Sequence, residues 1–175
     1  MGAEITVSYP DRVHQAMTTP NGEVKIVLAG DEGWIISPQG RMAMPESMVK
    51  QMRGDLMREA AHFYAHADAL KIQYLGEKSY GGSECSELLV SSEDHTFHLF
   101  LDPLTDLPAG VSYSTVGSTG PVNVEEFWSD YRDVGDVKIP FKSISTVDGK
   151  KVSEATVIEV KHNVEVDSSL FEEEG

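Results

Sequence analysis

Thr96-Phe97-His98-Leu99-Phe100-Leu101-Asp102-Pro103, with its continuation to Phe141, is the stretch that decides the fold. Phe97 to Leu101 reads as a strand closed by Asp102-Pro103, and the turn from Leu104 to Pro108 leads to a second strand over 110–116. A Gly/Pro turn from Gly117 to Pro121 leads to a third and longer strand over 122–134. Gly135-Asp136 then returns the chain into Val137 to Phe141. Every connection is short, and strands joined by short turns pair antiparallel. The stretch is a meander.

The pattern extends both ways. Downstream, the strand that contains Phe141 runs to Val147, Asp148-Gly149 makes a tight hairpin, and Lys151 to Lys161 returns. Residues 162–175 read as a loop, with Leu170-Phe171 able to tuck against the sheet edge. Upstream, Ile72 and Tyr74 share a face in a strand over 70–77, and Gly81-Gly82 turns into Cys85 to Ser91, where Leu88 and Val90 share a face. Nearer the start, Ile5, Val7 and Tyr9 alternate with polar residues, as in a half-buried strand. Strands over 13–18, 24–29, 34–37 and 41–44 follow, punctuated by Pro20-Asn21-Gly22, Gly30 to Gly33 and Pro38-Gln39-Gly40.

At Pro45 the period changes. Proline suits a helix start, where its missing N–H costs nothing. Met48, Val49, Met52, Leu56, Ala60 and Phe63 fall within an arc of about 120° at helical spacing. Lys50, Gln51, Arg53, Asp55 and Arg58 fall mostly outside it, Gly54 is placed on the outer side, and the helix is expected to end between His62 and Ala69. The fold class is therefore mainly β (α+β): a curved antiparallel sheet of roughly eleven strands, an unclosed half-barrel around one inserted amphipathic helix. Residues 1–175 read as a single domain.

The bulk properties narrow the partners. The 175 residues carry 29 acidic against 14 basic side chains, a formal charge of -15. Such a surface repels phosphate backbones and anionic headgroups, so nucleic acid is excluded as a partner. The acidity itself is explained by solubility. No apolar run approaches the roughly 18 residues of a membrane span, and Met1-Gly2-Ala3 leads into a strand without a signal peptide. The single cysteine, Cys85, rules out an internal disulfide and reads as a small buried apolar residue.

Three runs carry a resemblance. Phe97 to Pro108, with its Asp-Pro-x-Thr-x-Leu-Pro turn, Asp130 to Phe141, and Asn163 to Phe171 resemble the outer-membrane lipoprotein-sorting (LolA/LolB-like) superfamily. The resemblance covers about the whole chain, best from Leu70 onward, and rests on turns and strand ends. It implies an incompletely closed antiparallel sheet with helices in its mouth, an apolar cavity for acyl chains, and a periplasmic or envelope location. Family members begin with a helix before the first strand, whereas this chain begins in a strand, so we expect a piece of a longer polypeptide. Tyr9-Pro10-Asp11, Gly30-Asp31-Glu32-Gly33-Trp34 and Pro38-Gln39-Gly40 are also similar to the C-terminal domain of some insulinase-type zinc peptidase homologues. The zinc-binding motif of those peptidases is not in the sequence.

Candidate chemistry is sparse. His62 and His66 share a helix face near Asp68, as zinc ligands can, but the Glu of H-E-x-x-H is missing and two surface histidines explain the pattern. Glu125, Glu126, Asp130 and Asp133 offer carboxylate pairs that solvated faces explain as well. No catalytic residue, cofactor or metal site is assigned. Met42, Met44, Met48, Met52 and Met57 cluster in the helix and its lead-in strand. They suit either a plain core or a surface that adapts to flexible chains. Phe127 and Tyr131 lie on one strand face and Trp128 on the other, and the pattern does not say which is inner. Phe97, Leu99 and Leu101 alternate with His98 and Phe100 and are expected to face the helix.

The leading expectation is a non-catalytic envelope domain that holds an acyl chain, lipid or other apolar ligand between helix and sheet, lined by Trp34, Met48, Met52, Leu56, Phe63, Phe97 and Leu99. The rival expectation is an accessory interaction module whose cavity is filled by its own side chains, docked to a peptidase domain of the parent chain.

Overall fold

The computed structural model describes residues 2–60, 62, 67–92, 95–117 and 120–172. The chain forms two compact units, Met1–His62 with Asn163–Gly175, and Phe63–His162.

The first unit is a five-stranded antiparallel sheet carrying a helix. Its strands are β1 (Ala3–Ser8), β2 (Arg12–Thr19), β3 (Gly22–Ala29), β4 (Glu32–Ser37) and β5 (Gly40–Ala43), in sequential order. At the β2–β3 turn Thr19 pairs with Gly22, so Pro20-Asn21 forms the loop and Gly22 takes the positive φ of 115°. Helix α1 (Glu46–Arg58) follows. Its first turn hangs on the Pro45 carbonyl, which accepts from the Met48 and Val49 amides. Its regular run stops at Arg58, where Glu59 is extended (φ -67°, ψ 139°), and Ala60 and His62 beyond this break are helical again. The core is a row of side chains across the sheet, Val13, Leu28 and Met44, closed by Val49 and Leu56 of the helix. Gly33 belongs to this row: a Cβ there would meet Met44 Sδ at 2.8 Å and the Val27 carbonyl at 2.9 Å. The C-terminal 3-10 turn Ser168–Phe171 buries Phe171 as the sequence suggests, but against the inner strands β2 and β3 rather than a sheet edge.

Two expectations about α1 are corrected. Gly54 is buried, not outward, and Arg58 is buried rather than solvated, with its guanidinium 2.5 Å from Asp55. At helical spacing Gly54 and Arg58 fall opposite the stripe of Val49 and Leu56 and Met57 falls on its flank, so α1 is buried on more than one side.

The second unit is a seven-stranded antiparallel sheet of β6 (Lys71–Tyr80), β7 (Ser83–Ser91), β8 (Thr96–Leu101), β9 (Pro108–Gly117), β10 (Gly120–Val134), β11 (Val137–Val147) and β12 (Lys150–Thr156), again in sequential order. The Asp-Pro-x-Thr turn is built by Asp102, whose carboxylate accepts from the Leu104 and Thr105 amides at 2.8 and 3.2 Å. Asp148, at φ 49°, turns β11 into β12 and accepts from the Asn123 amide at 2.9 Å, tying that hairpin to β10. The outer strand β6 changes register between Tyr74 and Gly76, with Gly76 at φ 122°.

This sheet is strongly curled. β6 and β10 are four strands apart, about 19 Å in a flat sheet. Yet a Cβ on Gly81, at the β6–β7 tip, would sit 3.2 Å from the Phe127 ring of β10. The tip bends over one face and lays Tyr80 there, stacked on Phe100 (3.8 Å, 9°) and Phe127 (4.7 Å, 25°) above the buried Cys85. The Tyr80 hydroxyl donates between the Val111 and Glu126 carbonyls at 2.8 and 2.9 Å. Gly110 makes room for this: a Cβ there would lie 1.9 Å from the Glu126 oxygen and 2.9 Å from the Tyr80 ring.

The molecule is thus mainly β, antiparallel and unclosed, with a helix inserted after β5. The strand expectation needs one correction: among the described residues twelve strands divide five and seven between two sheets, because the connection from β5 to β6 carries the helix and cannot act as a hairpin.

Candidate functional site

On the helix side of the five-stranded sheet two rows of side chains run across the strands. The row at Val13, Leu28 and Met44 is buried under α1, and Leu56 is 3% exposed there. One step along the strands, the register aligns Ile5, Gln15, Ile26, Ile35 and Met42 in a second row on the same face. Ile26 and Ile35 are half-buried against the core, whereas Ile5 and Met42, on the two edge strands, are 57% and 62% exposed. Met48 and Met52 of α1 also pack on the core's margin, half-buried. The result is an apolar shelf of isoleucine and methionine beside a closed core. Burial of each such side chain by a ligand would contribute about 1.5–3 kcal/mol when complete.

The sequence-derived lining is divided. Met48, Met52 and Leu56 come together at this margin. Trp34 does not: it pairs with Val27, one residue off the Leu28–Gly33 row, and so points from the face opposite the helix. There the Arg41 guanidinium carbon sits 4.8 Å over its ring. Period two explains the difference, since Gly33 and Trp34 must face opposite ways. Phe97 and Leu99 are buried in the second unit, on the face of β8 opposite His98 and Phe100; Phe100 is buried as well. Phe63 lies outside the described residues.

The weaker candidates fall apart. His62 is buried 5.8 Å from the Tyr9 ring rather than on the surface, and His66 lies outside the described residues. Burial first, then the Glu59 carboxylate that accepts its hydroxyl at 2.6 Å, push the Tyr9 phenol up. Asp130 is held by Arg132 and Asp133 by Lys138, while Glu126 lies near Tyr113 on the face opposite Glu125. These carboxylates do not converge. Cys85 is fully buried, and burial pushes its thiol up.

The second unit holds a feature that sequence reading missed. The face that carries Tyr80 and Phe100 also bears an open hollow of about 440 Å³, floored by β8–β10 and flanked by Lys78 of β6. Beside it Glu87, only 12% exposed, takes Lys78 Nζ at 2.9 Å and His98 Nδ1 at 2.8 Å on one oxygen. Burial raises the Glu87 pKa, but the two bases outweigh it and hold the carboxyl below its ordinary range. The only signal in the sequence is polar alternation, which an ordinary solvated face shares.

No protein-family profile and no curated protein matches the chain. Two solved structures do. A domain named for outer membrane lipoprotein sorting, from Vibrio parahaemolyticus, aligns over 91% of this chain and 80% of its own at a TM-score of 0.54 and 10% identity. A LolA superfamily protein from Nitrosomonas europaea aligns over 98% of this chain and 86% of its own, at a TM-score of 0.49 and 11% identity. The chain shares its fold, an unclosed antiparallel β architecture with an inserted helix, with the Vibrio parahaemolyticus domain. Among the described residues no helix is long and apolar enough to cross a membrane.

Proposed function

We propose that the protein is a non-catalytic domain of the cell envelope that binds an acyl chain or similar apolar ligand on the shelf formed by Ile5, Ile26, Ile35 and Met42 with Met48 and Met52. The observation that carries this reading is the exposure of Ile5 and Met42 in line with the half-buried Ile26 and Ile35, next to two adaptable methionines. The fold shared with a domain named for lipoprotein sorting supports it. Affinity would come from apolar burial, with Gln15, between Ile5 and Ile26 in the row, as the one polar side chain that a ligand would cross.

A second reading has its own support. The row of Val13, Leu28, Met44 and Leu56 is already packed shut by the chain's own side chains. A self-filled centre suits an accessory interaction module, docked through the shelf to a peptidase domain.

Displacement of a fluorescent fatty acid separates the two. The first reading expects saturable binding that Met52→Glu abolishes, because the variant puts an unpaired charge on the shelf. Absence of binding, or wild-type affinity in Met52→Glu, rejects it.

A further inference from the structure

The hollow of the second unit is lined in a regular way. His98, Ser112 and Glu125 are cross-strand partners in one row, and Ser114 and Asn123 are partners in the next. Thr96 stands two residues before His98 on the same face of β8. Three adjacent strands thus present a grid of hydroxyl, imidazole, amide and carboxylate groups, with neighbours about 4.5–5.5 Å apart.

Most of this grid is unspent. Among the described residues, the side chains of Thr96, Ser112, Ser114, Asn123 and Glu125 make no hydrogen bond or ion pair. At the wall Lys78 is held by Glu87 and His98 Nδ1 lies 2.8 Å from the same oxygen, so among the described residues lining the hollow Glu125 is the carboxylate without a basic partner.

The chemistry excludes other occupants. An anion would meet Glu125 in a chain of net charge -15, with the nearest lysine already neutralised. A lipid tail would find no grease, since Phe100 is 1% exposed and Tyr80 is sealed over it. A neutral, hydroxyl-rich ring matches the set. A carboxylate accepts from two adjacent hydroxyls, an amide gives and takes, and serine and threonine adapt to either. The volume of about 440 Å³ falls within the range of about 300–1,000 Å³ usual for small-molecule sites.

We propose that this hollow is a binding site for a saccharide, held by Glu125 and Asn123 and steered by the hydroxyls of Ser112 and Ser114. It is independent of the apolar shelf. The test is a titration of the isotope-labelled chain, followed by amide NMR, with maltose, cellobiose and N-acetylglucosamine, each at millimolar concentration, and with inorganic phosphate. At least one saccharide should shift the amides of residues 112–114 and 123–125 in a saturable way, and phosphate should not. Glu125→Gln should weaken that binding roughly tenfold or more, the loss of a charged hydrogen bond. Ser112→Leu, which fills the hollow, should abolish it. Both variants should keep the wild-type thermal midpoint within a few degrees; should Ser112→Leu fail to fold, the Glu125→Gln affinity decides alone. Shifts with phosphate in place of sugar, no shift with any of the three sugars, or unchanged affinity in Glu125→Gln would overturn the proposal.

Discussion

Gly110 shows how far one residue can set local architecture. Its missing Cβ lets the Glu126 carbonyl and the Tyr80 ring close over the backbone, and its φ of 154° suits few other residues. Gly110→Ala would force the main chain of β9 and β10 apart, because the 1.9 Å contact is with a backbone oxygen that no rotamer change relieves. The variant should lose at least about 3 kcal/mol in urea unfolding; a loss below 1 kcal/mol would show that β10 can yield. Glu87 gives a second test. Its carboxyl lies below the ordinary 4.5, so the ionised, paired form stabilises the fold above that value, and the contribution is lost as pH falls through the lower folded value. Urea midpoints taken stepwise below about pH 5 should fall for the wild type and fall less for Glu87→Gln. Identical slopes would reject this role. Neither residue stood out in the sequence. Gly110 read as a strand end, and Glu87 as one more acid among 29.

At the scale of elements, α1 was the most legible. Its Met48–Val49–Met52–Leu56 stripe follows from helical spacing, and that stripe does pack on the sheet. Leu56→Ala should cost about 2–5 kcal/mol in thermal or urea unfolding, the range for a buried leucine that leaves a cavity. A value near zero would mean that the helix contributes little to the first unit. The turns were legible for the same reason: Asp148-Gly149 and the Asp102 turn each need a residue type that few positions supply. What the pattern hid was the second buried side of α1. Gly54 and Arg58 look outward by composition, since one has no side chain and the other is charged. Only the Asp55 pairing reveals that a guanidinium can sit there buried. Trp34 was placed in the lining, whereas its parity with Gly33 puts it on the other face of the sheet.

For the whole molecule, the sequence showed antiparallel hairpins throughout but not their division. Each hairpin joins neighbours in the same way, and the helix read from Pro45 onward does not by itself say whether the strands before and after it share one sheet. Curvature itself was legible in the run of short-turn antiparallel strands; what was hidden is the contact that carries it in the seven-stranded sheet, Tyr80 reaching Phe127, residues far apart in sequence. The sheet order does make a prediction about dynamics. β8, β9 and β10 have partners on both sides, whereas β1 and β12 are edges. Amide hydrogen exchange should therefore be slowest in β8–β10 and fastest in β1 and β12; rapid exchange in β9 would contradict the pairing described.

The register change at Gly76 has a further consequence. β6 is an outer strand bearing Ile72, Tyr74 and Leu75, each more than two-fifths exposed, and a straight strand of that kind would recruit the edge of another molecule. The irregularity between Tyr74 and Gly76 interrupts the run of free amides and carbonyls there, so a second chain cannot zip along its length. The kinked glycine thus adds a local guard at this edge to the solubility supplied by the net charge of -15, and straightening it would favour edge-to-edge association before any loss of the fold itself.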